Sequence, residues 1–163
     1  MLGRGQRLIR RRRNGEYELH LSGEERELMK SLVPQLRELL AAGAGGGPEQ
    51  PVDESLTRLF PTVYADEDLE AEYQRLVRDE LLEKRLAALD VVEATADEER
   101  VTEEQLLQWM GSVNSLRLVL GTRLDVTEDM DAIDPDDPNA LLLGIYGYLG
   151  WLLEHIVEAL SER

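Results

Sequence analysis

The sequence contains no cysteine, which excludes disulfide bonds, thiolate catalysis, cysteine-ligated zinc and thiol-based redox sensing. Histidine is almost as scarce, and His20 and His155 alone cannot form a multi-histidine metal site. No nucleophile motif, phosphate-binding loop or dinucleotide fingerprint occurs along the chain. We therefore expect a protein that is not an enzyme, that uses no cofactor or metal, and that acts by binding a partner.

Long apolar runs are also missing. The most apolar stretch, 140–153, is shorter than the roughly 20 residues that a membrane-spanning helix needs. It is therefore predicted to form a buried core helix, and no membrane contact is expected. The N-terminal segment is too basic and too poor in apolar residues to be a signal peptide, so we expect a cytoplasmic protein.

The composition favours helix. The chain has 163 residues, of which 42% are hydrophobic and 32% are charged, and leucine, alanine, glutamate and arginine are abundant. This length and balance are typical of a single globular domain, here spanning 1–163. We predict a mainly α fold, a helical bundle of about four main helices with an N-terminal β-hairpin. The predicted elements are a basic hairpin at 1–21, a helix at 22–42, a loop with a short helix at 43–65, a long helix at 66–94, a helix at 102–124, an acidic loop at 125–137 and a core helix at 138–162.

Capping residues mark where three helices begin. Ser22 with Glu25, and Thr102 with Gln105, have the spacing of a capping box, in which side chains and backbone bond reciprocally. Asp66 suits the N-cap of the long helix. These residues satisfy backbone N–H groups that the first helical turn leaves without partners, so they fix the start of each helix.

Two prolines affect the helix predictions. Pro34 lies inside a helical pattern, and it should kink or split that helix because it has no N–H and its ring collides with the preceding turn. Pro138, after Asp137, is predicted to occupy the first position of the last helix, where proline is favoured.

Three glycines recur along one side of the last helix, at Gly144, Gly147 and Gly150. Each lowers helix stability by roughly 1 kcal/mol relative to alanine. The expected compensation is close packing of a neighbouring backbone against this row. The row suits packing inside the molecule and a homodimer equally well.

Asn14-Gly15 predicts the hairpin, because both residues tolerate the positive φ angles of a type I′ turn. A two-residue loop would place Arg13 opposite Glu16 and Arg11 opposite Glu18. Strand alternation would then direct one set of side chains towards the core. That set is Tyr17, Leu19 and Leu21.

Charge is distributed unevenly along the chain. The net charge is −16, yet six of the 18 basic residues lie within the first 13 positions, which contain no acid. The rest of the chain carries 12 basic and 34 acidic groups, a formal charge of −22. The arginines of this basic segment are Arg4, Arg7, Arg10, Arg11, Arg12 and Arg13.

Two interpretations fit the basic segment. It could bind phosphates of DNA or RNA, and an acidic body would confine any such contact to this end. Alternatively, Arg11 and Arg13 could pair with Glu18 and Glu16 across the strands, or the segment could dock on the acidic surface of the same chain. The second interpretation is favoured, because the charge of the body opposes nucleic acid.

The acidic loop invites comparison with a calcium site. An EF-hand loop starting at Asp125 would require glycine at its sixth position and glutamate at its twelfth. Met130 and Asp136 occupy these positions. A solvated loop between two helices is therefore the better interpretation, and no metal site is predicted.

Arg117, with Asn114 one turn before it, interrupts an otherwise apolar helix. Polar groups on such a helix need partners if they are buried. One interpretation is a structural salt bridge from Arg117 to an acid on the long helix. The other is that this face forms part of a partner-binding groove.

Two stretches resemble a small actinobacterial family that is often encoded beside the Clp adaptor protein. Residues 114–126, NSLRLVLGTRLDV, resemble its signature helix. Leu59-Phe60-Pro61, followed by Tyr64 and the acidic residues 66–68, resembles its central motif, and 148–153 also fits. The family was long labelled a domain of unknown function and is named AosR, for an actinobacterial oxidative-stress transcriptional regulator.

The resemblance implies a cytosolic, non-enzymatic regulator that acts with the transcription machinery. Redox regulation in the family is attributed to a cysteine pair, which this chain lacks. Either it is a redox-blind regulator with the same partner, or its role has changed. The positions that match best, as parts of the fold or of the partner face, are Asn114, Arg117, Leu118, Gly121, Thr122 and Arg123. Phe60 and Tyr64 are further candidates for partner binding or structure.

The leading hypothesis is a transcription-associated regulator that binds a sigma factor or RNA polymerase, with DNA contact through the arginine segment. The alternative is an adaptor or accessory factor in Clp-linked proteolysis, which rests on the genomic association alone. Neither the partner nor the stimulus follows from the residues themselves.

Overall fold

A computed structural model gives the structure of the protein and describes residues 7–43, 59, 63, 65–124 and 136–162. The elements in these residues are β1 (Ile9–Arg11), β2 (Tyr17–Leu19), α1 (Gly23–Gly43), α2 (Glu67–Thr95), β3 (Arg100–Val101), α3 (Glu103–Arg123) and α4 (Ala140–Ser161). The predicted mainly α fold with four helices and an N-terminal hairpin is confirmed. The helices begin and end within two residues of the predicted bounds.

α3 is the central helix of the bundle. It packs extensively on both α2 and α4, whereas α1 packs mainly on α2 and touches α3 only lightly. Trp109 of α3 is fully buried, and its indole N–H donates to the Thr95 hydroxyl of α2 at 2.7 Å. Thr95 in turn donates to the Val91 carbonyl at 2.7 Å. The polar groups beside this large core side chain are therefore bonded, as burial requires.

The predicted helix caps are confirmed. In the first capping box, the Glu25 N–H donates to the Ser22 hydroxyl and the Ser22 N–H donates to the Glu25 carboxylate, both at 3.1 Å. Thr102 and Gln105 form the second box in the same way. Asp66 accepts hydrogen bonds from the first turn of α2.

The hairpin loop has three residues rather than the predicted two. The Gly15 N–H donates to the Arg12 carbonyl at 3.1 Å, and the Arg12 N–H donates to the Glu16 carbonyl at 2.7 Å. Gly15 has a φ of 87°, in the left-handed region. This arrangement is typical of a type I turn followed by a left-handed glycine that forms a bulge.

The longer loop shifts the strand register by one residue. Arg11 faces Tyr17 and Arg10 faces Glu18, so the predicted pairing of Arg11 with Glu18 and of Arg13 with Glu16 is wrong. The core-facing side of β2 does not depend on the loop, because it follows from strand alternation alone. Its buried side chains are those predicted, Tyr17, Leu19 and Leu21.

A third strand completes the sheet. β3 pairs antiparallel with β2, with Val101 opposite Tyr17 and Arg100 opposite Glu18. The sequence predicts no element for residues 95–101, between the long helix and the helix that follows it. Two residues are too few to show the alternation that identifies a strand in sequence.

The two prolines act differently from the predictions. α1 is continuous through Pro34, so the predicted split is wrong. Pro34 is exposed, which leaves its flanking backbone open to water. α4 begins at Ala140 with Asn139 as N-cap, because Asp137 closes a turn by accepting the Asn139 N–H at 2.7 Å. Pro138 therefore lies in that turn, outside the helix.

α4 is less buried than predicted. Leu149, Leu152 and Ile156 are at most 1% exposed, but Leu141 is 78% exposed and Trp151 is 40% exposed. By length and composition, α4 is the one helix in the described residues that is long and apolar enough to cross a membrane, and 22% of its most apolar window is buried. Its composition reflects one buried stripe plus apolar residues on the surface.

Close packing inside the described structure is absent at two members of the glycine row. A Cβ atom added at Gly144 or Gly147 would meet no heavy atom of the described structure within 4 Å. At Gly150 it would lie 3.7 Å from Cδ of Arg117, an ordinary contact. The first two glycines are exposed.

Candidate functional site

An apolar groove lies between α1 and α3. It forms because these two helices barely contact one another, and the fully buried Leu149 of α4 forms its floor. The side chains that line its walls are Leu32, Gln35, Leu36, Leu39, Leu116, Val119, Leu120 and Arg123. Of all these residues, Arg123 is the one that carries a charge.

Helical periodicity produces the two walls. The wall positions on α1 and on α3 recur every three or four residues, so each set lies along one face of its helix. Leu36 and Leu116 are largely buried, whereas Leu32, Leu39 and Leu120 remain partly accessible. The groove therefore offers accessible apolar side chains along about two helical turns of each wall, an arrangement that suits an apolar helix of a partner.

Arg123 lies at the rim of the groove, in the last turn of α3. A cation is favourable there, because the carbonyl end of a helix carries partial negative charge. Its side chain is exposed and forms no ion pair with any residue that the structure describes. Arg123 can therefore bind an incoming carboxylate without breaking an ion pair to any part of the chain that the structure describes.

Arg117 does not form the predicted salt bridge with α2. Its Nη2 donates to the Asn114 Oδ1 at 3.2 Å, and no described acid pairs with it. Its Nε is buried and has no partner in the described structure. Arg117 lies beside Gly150 of α4 rather than in the groove, so the structure separates Arg117 and Asn114 from Arg123. Phe60 and Tyr64 lie outside the described residues.

Two of the arginines near the N-terminus already have carboxylate partners. Arg7 pairs with Glu162 at the end of α4, and Arg12 Nη1 lies 2.5 Å from Glu18 Oε1. The hydrogen bond from Arg12 holds the pKa of Glu18 below its usual range, and His20 bonds the other oxygen of this carboxylate at 2.9 Å. The expected cross-strand pairing thus exists, but with Arg12 as the donor.

Among the described arginines of the basic segment, three remain available. Arg10, Arg11 and Arg13 are exposed and form no ion pair in the described part of the chain. Arg4 lies outside the described residues. Of the six arginines predicted to contact phosphate, these three are the ones without a carboxylate partner among the described residues.

Arg26 has a role that the sequence did not reveal. Its guanidinium donates to backbone carbonyls of Leu19 (2.9 Å), Leu21 (3.2 Å), Ala96 (2.9 Å) and Glu98 (2.7 Å). It thereby joins the start of α1 to β2 and to the connection after α2. An arginine in a capped first turn has no sequence feature that indicates these distant acceptors.

Tyr148 joins α4 to the start of α1. Its hydroxyl donates to the Glu25 carboxylate at 2.7 Å, and Glu25 is also part of the first capping box. Burial and the neighbouring carboxylate raise the pKa of Tyr148 far above its usual range. The bond fixes the orientation of α4, whose outer side carries Trp151.

No group of three or more metal-ligating side chains occurs within the described residues. The acidic stretch that was compared with an EF-hand lies almost entirely outside them.

Comparison with known proteins identifies the family. A family model described as a domain of unknown function, DUF2017, matches residues 6–160. Proteins named oxidative stress regulator AosR from Mycobacterium tuberculosis and Mycobacterium bovis are each 29% identical over 134 residues, covering 71% of this chain and 62% of the relative. A putative oxidative stress regulator AosR from Mycobacterium leprae is 26% identical over 142 residues, covering 76% of this chain and 65% of the relative.

The chain thus spans slightly less than two thirds of the length of these relatives. No solved structure matches it. The family match covers nearly the whole sequence and includes the stretch on α3 that carried the resemblance. The protein therefore belongs to the DUF2017 family, which includes AosR-like proteins.

Proposed function

We propose that the protein is a non-enzymatic, cytoplasmic regulator that acts with the transcription machinery by binding a sigma factor or RNA polymerase. The observation that carries the proposal is the apolar groove between α1 and α3, with Arg123 exposed at its rim and in no ion pair with a described residue. The names of the relatives support the regulatory class. The non-enzymatic part rests on a sequence without cysteine or any recognisable nucleophile or phosphate-loop motif.

The groove would accept a short amphipathic helix of the partner. Apolar side chains spaced three to four residues apart would enter between the leucines of the two walls. An acidic residue on the same helix would pair with Arg123 and set its direction. A charge at the rim of an interface contributes more to orientation and association rate than to affinity.

DNA contact would be confined to the hairpin. Arg10, Arg11 and Arg13 are exposed, whereas the rest of the chain is strongly acidic and repels phosphate. Such contact would be secondary to protein binding and dependent on salt. Each phosphate contact that is lost should reduce the slope of log affinity against log salt by about 0.9.

Regulation through a thiol is excluded for this chain, because it has no cysteine. The protein would therefore keep the partner surface of the family, and it would either respond to a stimulus of another kind or sense none. The groove itself contains no residue that a mild oxidant would modify, since its walls carry leucine, valine, glutamine and arginine.

The test is direct binding of the purified chain to RNA polymerase holoenzyme from the same host, at near-physiological salt. Arg123→Glu should weaken binding about tenfold, which corresponds to about 1.4 kcal/mol. Arg75→Glu is the matched control, because Arg75 is exposed on α2 and forms no ion pair with any described residue. It makes the same charge change away from the groove and should bind as the unmodified chain does.

Two results would contradict the proposal. Equal binding by both variants would remove the groove from the interface. Binding to the Clp adaptor or protease, with none to the polymerase or to isolated sigma factors, would support the accessory role in proteolysis instead. Replacing Arg10, Arg11 and Arg13 with serine separately tests the contribution of DNA, through the salt slope of binding to a promoter fragment.

A further inference from the structure

α4 carries an exposed strip that the bundle does not use. We define the outer strip of α4 as Leu141, Gly144, Gly147 and Trp151, which recur every three or four residues on the solvent side. The opposite side of α4 packs into the core through Leu149, Leu152 and Ile156. The strip is therefore a second face of a helix that is already anchored.

The glycines of the strip have no compensating contact inside the molecule. Glycine weakens a helix interior relative to other residues. Neither Gly144 nor Gly147 has a positive φ, and an added Cβ would meet open space at both positions. Nothing in the described structure requires these two residues to lack a side chain, so an approaching backbone from outside the described residues is the natural reason.

The apolar members of the strip reinforce this view. Leu141 is 78% exposed, and Trp151 is 40% exposed while its ring contacts Tyr148 at a tilt and His155 edge-on. An exposed tryptophan with a settled orientation, next to leucine and glycine, is the composition of an interface centre rather than of a solvated helix face. The strip therefore combines apolar area with room for close approach.

Charge identifies the occupant. Residues 140–153 contain no charged side chain, in a protein in which 32% of residues are charged and the net charge is −16. A basic partner would be attracted to the acidic surfaces of the protein and would gain no electrostatic energy from the uncharged strip. Two copies of this acidic chain repel one another elsewhere and can approach closely only where neither carries charge.

We propose that the outer strip of α4 is the interface of a homodimer, in which the α4 helices of two copies cross antiparallel near Gly147. A two-fold axis makes such a contact self-complementary. Trp151 of each copy would cover Gly144 of the other, and Glu154 of each would face the uncharged start of the other helix. A parallel crossing would instead bring the two Glu154 side chains together.

A lipid bilayer is the competing occupant, because α4 has the length and composition of a membrane span. The two occupants give different results in solution. A dimer is saturable, depends on protein concentration and needs no lipid. A bilayer-binding helix would leave the protein monomeric in buffer and carry it down with sedimenting vesicles.

The test is sedimentation velocity of the full chain from about 1 µM to about 1 mM, the range in which weak homodimers dissociate. The unmodified chain should shift from monomer to dimer across this range. Gly147→Gln should weaken dimerisation at least about tenfold and also raise the unfolding midpoint, because it introduces a helix-favouring residue into open space.

Gly111→Gln is the matched control. Gly111 is exposed on α3 and also has open space around it. This variant should likewise raise the unfolding midpoint but leave the dimer intact. Leu141→Gln is a second substitution in the strip, and it changes no glycine. It should also weaken the dimer.

Three outcomes would overturn the proposal. The first is a monomer at every concentration. The second is a dimer that tolerates both Gly147→Gln and Leu141→Gln, since this would place the interface elsewhere. The third is a monomer that co-sediments with phosphatidylcholine vesicles, since this would assign the strip to lipid. Partner binding through the α1–α3 groove is measured separately, and its result does not affect this one.

Discussion

At the residue scale, the described structure depends on a few side chains that connect distant segments. Arg26 donates to four backbone carbonyls on β2 and the two connections beside it. Tyr148 bonds the same capping box that starts α1. Arg12, rather than Arg11 or Arg13, neutralises Glu18. In each case the geometry of the fold, and not the local sequence, selects the partner.

Removing the Arg26 guanidinium should destabilise the fold markedly. Arg26→Ala leaves three partly buried carbonyls and the exposed Glu98 carbonyl without their charged donor, and the expected loss is about 3 kcal/mol of unfolding free energy. The measurement is urea unfolding followed by circular dichroism. Arg75→Ala, at an exposed position on α2, should change the unfolding free energy by less than about 0.5 kcal/mol. An Arg26→Ala variant as stable as this control would show that water replaces the guanidinium without penalty.

The bond from Tyr148 to Glu25 should make stability depend on alkaline pH. Because the pKa of Tyr148 is raised in the folded state, its contribution is fully present below the usual tyrosine pKa of about 10 and is lost as pH rises further. Unfolding free energy should therefore fall more steeply above about pH 10 in the unmodified chain than in Tyr148→Phe. Tyr146→Phe is the control and should retain the steep fall. Parallel curves for the unmodified chain and Tyr148→Phe would contradict this account.

At the element scale, the sequence predicted what local chemistry determines. Capping boxes need only residues three positions apart, so Ser22 and Thr102 located their helices correctly. The predicted hairpin register was wrong because Asn14-Gly15 fits a two-residue loop and also a three-residue loop with Gly15 as the bulge. β3 was missed because its two residues depend on pairing with a strand that is far away in sequence.

The predicted burial of the last helix was wrong for a different reason. The apolar composition of a helix predicts that part of it is buried, but it does not predict which side the neighbouring helices cover. The same limit applies to the candidate site. The Arg117 salt bridge was inferred from an abundance of acids, although abundance carries no geometry. The α1–α3 groove arises because these two helices hardly pack on each other, and no local sequence pattern predicts which helices pack together.

Pro34 gives an element-scale prediction. Because α1 continues through this exposed proline, Pro34→Ala should restore the missing backbone hydrogen bond and stabilise the protein by about 2 kcal/mol. Thermal and urea unfolding of both chains would measure the difference. A loss of stability would mean that a bend at Pro34 is required for α1 to pack on α2.

At the scale of the whole molecule, three surfaces differ in position on the fold and in chemistry. The α1–α3 groove is apolar with Arg123 at its rim, the hairpin carries three exposed arginines without ion pairs among the described residues, and the outer strip of α4 is uncharged. The remainder is acidic, which discourages contact elsewhere with nucleic acid or with another copy. A regulator that contacts a protein, a nucleic acid and its own copy would need three such surfaces to act without mutual interference.

The central claim is that the α1–α3 groove receives the protein partner, and hydrogen exchange of the complex with RNA polymerase holoenzyme tests it most directly. Binding should protect the amides of 32–39 and 116–123, because a helix seated between these walls suppresses their local opening. Amides of 84–95, on α2, should exchange as in the free chain. Protection confined to the hairpin, or to α2, would contradict the account and assign the partner to another surface.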